Sequence, residues 1–235
     1  VGETTTLGKE GSDFTGAILA AALGAQSLTI WKDVPGIMNA DPKLFKKATK
    51  FDQVSYKAMA EMAFYGAKVL HPKTVQPLAI RNIPLYVKPF FRPHEQGTEI
   101  SNSSSELTEP IYTLQKNQIL VHLDTKDLSF FSEERLAEVL CQLAQHNTSA
   151  NMLEKGAYTL SICLSSDIFK INELLATLSQ KFRVRCHTQV DLLTVIHQGE
   201  NRLPAWLQSK TVLLAQRRGH IYQAVCYDEQ DAYAH

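Results

Sequence analysis

The sequence predicts an α/β protein in two parts, a layered α/β region followed by ferredoxin-like βαββαβ units. Helical and strand patterns alternate before residue 94, a polar serine-rich stretch closed by a proline interrupts them at His94–Pro110, and a strand-helix-strand-strand-helix-strand rhythm follows. Residues 1–100 read as one domain, 101–110 as a linker, 111–190 as a first ferredoxin-like unit and 191–235 as a second, shortened one.

In the first part the order is helix (Phe14 to Leu23), strand (Ser27 to Lys32), a turn-rich region (Asp33 to Phe51), helices at Tyr56 to Tyr65 and Thr74 to Arg81, and a strand (Pro84 to Pro89). Phe14, Ala17, Ile18, Ala21, Ala22 and Ala25 fall on one face of the first helix, and Ser12 or Asp13 is placed to cap its free amides. His71, just before Pro72, is expected to cap or pack there.

After the linker the strands are expected at Ile119 to Leu123, Ala150 to Leu153, Tyr158 to Leu164, Val184 to His187 and Leu192 to His197, with helices at Glu133 to His146 and Phe169 to Lys181. Leu136, Val139, Leu140 and Leu143 make the apolar stripe of the first helix, with Ser132 as its cap and two glutamates in the positive first turn. Ile168, Ile171, Leu175 and Leu178 make the stripe of the second. In RRGH, Arg217 to His220, Gly219 is expected to supply the left-handed residue of a turn between two late strands.

Composition limits the functions open to the chain. Its 235 residues, 44% hydrophobic, are enough to bury a core, and 24 basic residues balance 24 acidic ones. No bulk charge draws it to nucleic acid or an anionic membrane, so an anionic ligand needs a local site. The four cysteines lie far apart without a CxxC spacing, and three sit in apolar runs, which reads as buried reduced thiols. The eight histidines show no HExxH pattern, and no protein-held metal is expected. No apolar run reaches the ~20 residues of a membrane helix, so the expectation is a cytoplasmic protein.

The stretch TTTLGKEGSD, Thr4 to Asp13, carries the first chemical signal. A glycine-containing loop entering a helix offers backbone N–H groups without intrahelical partners at the positive end of the helix dipole, a ready anion cradle. Lys9 adds a cation, Ser12 a hydroxyl and Asp13 a carboxylate; the same pattern also suits an ordinary helix cap. It matches neither GxxxxGK[ST] nor GxGxxG. Further on, SLTIWKDVPGIMNADPKLF runs from a strand into Lys32 and Asp33, where α/β domains gather ligand contacts, and FYGAKVLHPK puts Lys68 just past a helix end. Lysines 9, 32, 43 and 68 are candidates to converge on a polyphosphate, each also readable as a solvated surface residue.

TTTLGKEGSDFTGAILAAALGA, LTIWKDVPGIMNADPK, EMAFYGAKVLHPKTVQPL and NIPLYVK, in this order over Thr4 to Thr98, resemble the aspartokinase family. The resemblance implies a partial amino-acid-kinase-type domain followed by ACT regulatory domains, and transfer of the terminal phosphate of ATP, as MgATP, to the side-chain carboxylate of L-aspartate. It implies that Lys9, Glu10, Gly11 and Ser12 hold aspartate, that Asp13 organises the reacting phosphate, and that Lys32, Asp33, Met38, Lys43 and Lys68 surround the nucleotide. Departures accompany the match. The family loop more usually reads GRGGSD, so Lys9 stands for an arginine and Glu10 for a glycine; Met38 stands for a common tyrosine, and Lys43 for a frequent arginine. The family's opening KFGG motif is not in this sequence, so a fragment is expected that is inactive by itself.

The resemblance further implies an amino-acid effector at the loop joining the first strand to the first helix of the second part, here DTKDLSFFS, with Ser132, Ser149 and Asn151 as candidate contacts. Asn151 offers no charge to a lysine ammonium, and lysine feedback is not expected. Phe130 and Phe131 read as packing residues. Bare ferredoxin-like edges and faces imply a homodimer through this half. Two other readings stay open: a non-catalytic amino-acid-binding and dimerisation module, and a relative of glutamate or carbamate kinases.

Overall fold

The computed structural model describes residues 11–67, 69–103, 107, 109–127, 129–165, 168–197, 207 and 209–228. The chain divides into two compact units, Val1–Thr113 with Val195–Gly199, and Leu114–Thr194 with Glu200–His235. Among the described residues no helix is long and apolar enough to cross a membrane.

The first unit contains α1 (Gly11–Leu23), β1 (Leu28–Lys32), β2 (Gln53–Ser55), α2 (Tyr56–Phe64), α3 (Pro72–Arg81), β3 (Leu85–Pro89) and β4 (Thr98–Ser101). Its four strands are ordered β1-β3-β4-β2. The β1–β3 and β2–β4 pairs are parallel and β3–β4 antiparallel. α1 and α2 both pack on α3, forming one helical layer. β3 alternates strictly, with Leu85, Val87 and Pro89 buried and Tyr86 and Lys88 partly open, as a half-covered strand must.

Local chemistry sets the ends of these helices. The Ser55 side chain accepts from Ala58 N (3.1 Å) to cap α2. His71 caps α3, its Nδ1 accepting from Lys73 N (3.2 Å) ahead of Pro72, and Asn82 closes the helix at φ 53°. α1 departs from its expected form. Its described part runs from Gly11, so Ser12 and Asp13 lie within the helix rather than at its cap. Its buried face is Asp13, Ala17 and Ala20, while Ile18 and Leu19 are exposed. A helix apolar nearly all round has no dominant stripe, and its partners choose the buried side.

β4 lies within the polar stretch His94–Pro110 that interrupts the sequence pattern, and ends at Ser101, the first residue of the expected linker. Thr98 and Ser101 are buried in it, polar residues that read as loop until their hydroxyls find partners.

The second unit contains most of β5 (Ile111–Thr125), then α4 (Glu133–Gln145), β6 (Ala150–Lys155), β7 (Thr159–Ser165), α5 (Ile168–Ser179), β8 (Phe182–Ile196), β9 (Lys210–Arg218) and β10 (Ile221–Asp228). The sheet order β6-β7-β5-β8 is that of the βαββαβ split unit, and β10 and β9 continue the same sheet beyond β8. Val121, Leu123 and Ile162 of the sheet meet Val139, Leu143, Ile171 and Leu178 of α4 and α5 in one core, while Leu120, Met152 and Cys163 join a second cluster on the other face. Phe131 is buried and stacks on Phe182, centroids 5.3 Å apart; Phe130 is exposed and stacks on Tyr158 at the same separation. Cys163 and Cys226 are buried, but Cys141 and Cys186 are exposed, against the expectation for the cysteines in apolar runs.

The strands expected at Val184 to His187 and Leu192 to His197 are one strand, β8. Phe182 and Val184 point to the helix-side core, whereas Val190 and Leu192 point to the opposite cluster, which plain alternation forbids. Between them Gln189 sits at φ 55° and shifts the phase. In the β9–β10 turn Gly219, at φ 58°, supplies the left-handed residue.

Candidate active site

The site is built where α1 begins and β1 ends. α1 closes in a Schellman-type turn: Gly24 takes φ 62° and Ala25 N donates to Ala20 O (2.9 Å). The chain then reverses into β1, which packs against α1. The ten helical steps from Asp13 to Leu23 rise about 15 Å, and the four steps of β1 return about 13 Å. The end of the strand therefore arrives beside the start of the helix. Lys32 Nζ lies 2.6 Å from Asp13 Oδ2, bridging 19 positions of sequence. Asp13 is 9% exposed and the Lys32 side chain 24%, so a desolvated carboxylate is held by a cation that still reaches solvent.

Asp13 also stands in the first described turn of α1, towards the end of the helix whose dipole favours a negative charge. An anion arriving here meets an ammonium, a helix terminus and the Ser12 side chain, which is exposed in the same turn. Gly11 is the first described residue of the helix. Lys9, Glu10 and Lys68 lie outside the described residues.

Beyond Lys32 the chain forms a narrow ribbon. Asn39 N donates to Thr49 O and Phe51 N to Ile37 O, both 2.9 Å, with Met38 and Lys50 bridged between them. At the tip Asp41 starts a turn: its O accepts from Leu44 N and Phe45 N, and its Oδ1 from Lys43 N (2.9 Å). Met38 is half-buried in the ribbon, while Asp33 at its entry and Lys43 at its tip are exposed. Of the expected nucleotide residues, Lys32 and Asp33 thus share the strand end, and Met38 and Lys43 ride the ribbon that follows.

Three residues that hold the ribbon gave no sequence signal. The Thr98 hydroxyl accepts from Ile37 N (2.9 Å) and donates to Phe51 O (2.5 Å). Tyr112 N donates to Asn39 O (2.7 Å), and its ring stacks on Phe45 with centroids 5.8 Å apart. Lys50 Nζ donates to Gly97 O (2.8 Å) and pairs with Asp52 at 2.5 Å, a hydrogen bond that holds the Asp52 carboxyl below its usual range. A threonine and a tyrosine beside a polar stretch carry no periodicity that distinguishes such roles. A depression of about 580 Å³, lined by Asp52, Gln53, Tyr86, Lys88, Gln96, Gly97 and Glu99, opens over β2, β3 and β4; its lining includes none of the expected site residues.

In the second unit two of the three candidate effector contacts, Ser132 and Asn151, are already engaged. Ser132 Oγ accepts from Arg135 N (3.4 Å) as the cap of α4. Asn151 lies at a register shift of β6, and its Nδ2 donates to Gln118 Oε1 (2.7 Å) and Ser165 Oγ (3.0 Å). Ser149 is exposed. Asp127, in the loop before α4, takes hydrogen bonds from Ser129 and Arg135, which hold its carboxyl far below the usual range.

A model of the amino acid kinase family matches residues 1–89. The lysine-sensitive aspartokinase 3 of Escherichia coli (strain K12) is 36% identical over 205 residues, 83% of this chain and 45% of that protein. The chain is thus similar to aspartokinases over most of its length, and its first 89 residues match the amino acid kinase family. Aspartokinase 1, chloroplastic, of Arabidopsis thaliana is 38% identical over 178 residues, 74% of this chain and 31% of its own length. The crystal structure of E. coli aspartokinase III with aspartate and ADP (R-state) superposes with a TM-score of 0.82 at 31% identity, covering 98% of this chain and 55% of that one. The form with lysine and aspartate (T-state) gives 0.76 at 32%. The chain thus spans about half the length, or less, of the aspartokinases it matches, and corresponds to part of the kinase domain with the regulatory region.

Proposed function

We propose that this chain supplies the aspartate- and nucleotide-binding part of an ATP:L-aspartate phosphotransferase that forms 4-phospho-L-aspartate in the cytoplasm. The Asp13–Lys32 pair, set at the mouth of a helix and followed at once by the ribbon, carries the reading. The start of α1, with Lys9, Glu10, Gly11 and Ser12, receives the aspartate. Lys32, Asp33, Met38, Lys43 and Lys68 receive MgATP. A carboxylate oxygen of aspartate attacks the γ-phosphorus, the bond to the bridging oxygen breaks, and the electron pair leaves with ADP. Such a transfer needs positioning and charge neutralisation rather than covalent help from the protein. Lys32 offsets the charge that shifts towards the leaving diphosphate, and Asp13 fixes the direction of its ammonium.

The two E. coli structures hold aspartate with ADP or with lysine, which supports the same ligand classes here. Aspartate-dependent release of ADP, with glutamate as the control acceptor, tests the proposal in this chain alone and in any longer product of its gene. Turnover with glutamate in place of aspartate would favour a glutamate kinase relative.

The second unit is proposed as an amino-acid-responsive, dimer-forming part, supported by its ACT-like order β6-β7-β5-β8. Because the Asn151 amide already donates to Gln118 and Ser165 and carries no charge, a neutral amino acid suits Ser132, Ser149 and Asn151 better than lysine does. Sedimentation as a dimer and calorimetry with a panel of amino acids test this part separately.

A further inference from the structure

The base of the ribbon contains an irregularity that the proposed reaction does not by itself require. In an antiparallel pair two opposed residues exchange both N–H···O bonds. Ile37 and Phe51 make one of them directly, Phe51 N to Ile37 O at 2.9 Å. The other is interrupted: Ile37 N donates to Thr98 Oγ1 (2.9 Å), and that hydroxyl donates to Phe51 O (2.5 Å). Thr98 is fully buried, as is Ile37, so no water stands ready to replace the hydroxyl.

The surrounding chain is shaped around this insertion. A Cβ on Gly36 would stand 2.4 Å from Thr98 Oγ1, so only glycine lets the ribbon come down onto the hydroxyl. A Cβ on Gly97, which is at φ 71°, would meet Val87 O at 2.1 Å, so glycine also lets β4 start against β3. Lys50 closes the outer side by donating to Gly97 O at 2.8 Å. One hydroxyl thus ties both strands of the ribbon to β4, and the ribbon carries Met38 and Lys43 and begins beside Asp33.

We propose that Thr98 is a positioning residue for the nucleotide: its hydroxyl, inserted between Ile37 and Phe51, sets the spacing of the ribbon that presents Asp33, Met38 and Lys43. The proposal rests on the nucleotide reading of that ribbon, and the experiment separates the two. Thr98→Val keeps the shape and removes the hydroxyl, leaving a buried N–H and a buried carbonyl without their partner; Thr98→Ser keeps the hydroxyl. Amide hydrogen exchange is followed along the full chain of each variant, with KM for ATP and kcat measured wherever turnover is found.

In Thr98→Val, exchange across residues 37–51 is expected to rise about tenfold, the scale of one lost buried hydrogen bond, while α4 and α5 keep their protection. KM for ATP rises more than kcat falls, and Thr98→Ser restores both readouts. Unchanged exchange at 37–51, an equal rise throughout the unit, or a Thr98→Ser variant that behaves like Thr98→Val overturns the proposal. KM and kcat that fail to separate in an active enzyme also overturn it. A chain that neither turns over nor binds MgADP, yet shows the local exchange pattern and its rescue by serine, sinks the kinase reading and supports the clasp.

Discussion

Lys32 Nζ and Asp13 Oδ2 stand 2.6 Å apart, joining the end of a strand to the first turn of the helix before it. Removing one partner leaves the other charge partly buried. Asp13→Asn or Lys32→Met alone is expected to lower stability by about 1–3 kcal/mol, less than for a fully enclosed pair because Lys32 still reaches solvent. The double variant loses less than the sum, as a urea-denaturation double-mutant cycle would show.

Lys43 stands exposed at the ribbon tip, its backbone N–H held by Asp41. If its ammonium meets the nucleotide, Lys43→Ala raises KM for ATP roughly threefold to tenfold, the scale of one solvated charge contact of about 1 kcal/mol. Initial rates over a range of ATP should leave kcat and the KM for aspartate nearly unchanged.

The phase shift of β8 depends on a left-handed Gln189. Glycine adopts φ 55° without the Cβ penalty, so Gln189→Gly is expected to hold or raise stability, while Gln189→Val lowers it by about 1–2 kcal/mol. Thermal unfolding of the two variants gives the sign directly.

Two residues on the same face of β5 make stability depend on pH. Burial, then Arg185 and His187, depress the His122 imidazole below its ordinary 6.5, against an opposing pull from Asp124. The unfolded chain therefore takes that proton first, and stability falls as pH drops through 6.5 towards the folded value. Asp124, bonded to Arg185 (2.9 Å) and Thr159 (2.5 Å), titrates below its ordinary 3.8; its contribution is complete above that value and is lost as pH falls through the folded one. Urea midpoints at pH 7.5 and 5.5 should converge in His122→Gln, and those between pH 5 and 3 in Asp124→Asn.

Ser132 caps α4 through Arg135 N. Ser132→Ala is expected to lower stability by about 1 kcal/mol. Calorimetry of lysine against the unaltered protein is expected to show weak binding or none.

Legibility followed the physics of each element. α3 was readable because its start and end are local chemistry, His71-Pro72 and Arg81-Asn82. The βαββαβ order was readable because α4 is amphipathic and β7 carries the apolar residues Leu160, Ile162, Cys163 and Leu164 in one short run. β4 was hidden because Thr98 and Ser101 look like loop residues until β3 and the ribbon supply partners for Thr98, and β2 and Ser103 for Ser101. β8 looked broken because a left-handed glutamine inside a strand is invisible to periodicity. At the candidate site the residue types were legible one by one, but the pairing of Asp13 with Lys32 was not. Asp13 fits a cap equally well, and only the return of β1 along α1 brings the lysine to it.

Asp13 and Lys32 are proposed to belong to a phosphoryl-transfer site for aspartate. Trapping the acyl phosphate with hydroxylamine, in the longest product of the gene and in its Asp13→Asn and Lys32→Met variants, tests it most directly. Aspartate hydroxamate is expected from the unaltered protein, with a loss of about a hundredfold or more in each variant that still folds. Hydroxamate formation that survives both substitutions, or its absence from the unaltered protein supplied with MgATP and aspartate, would contradict it.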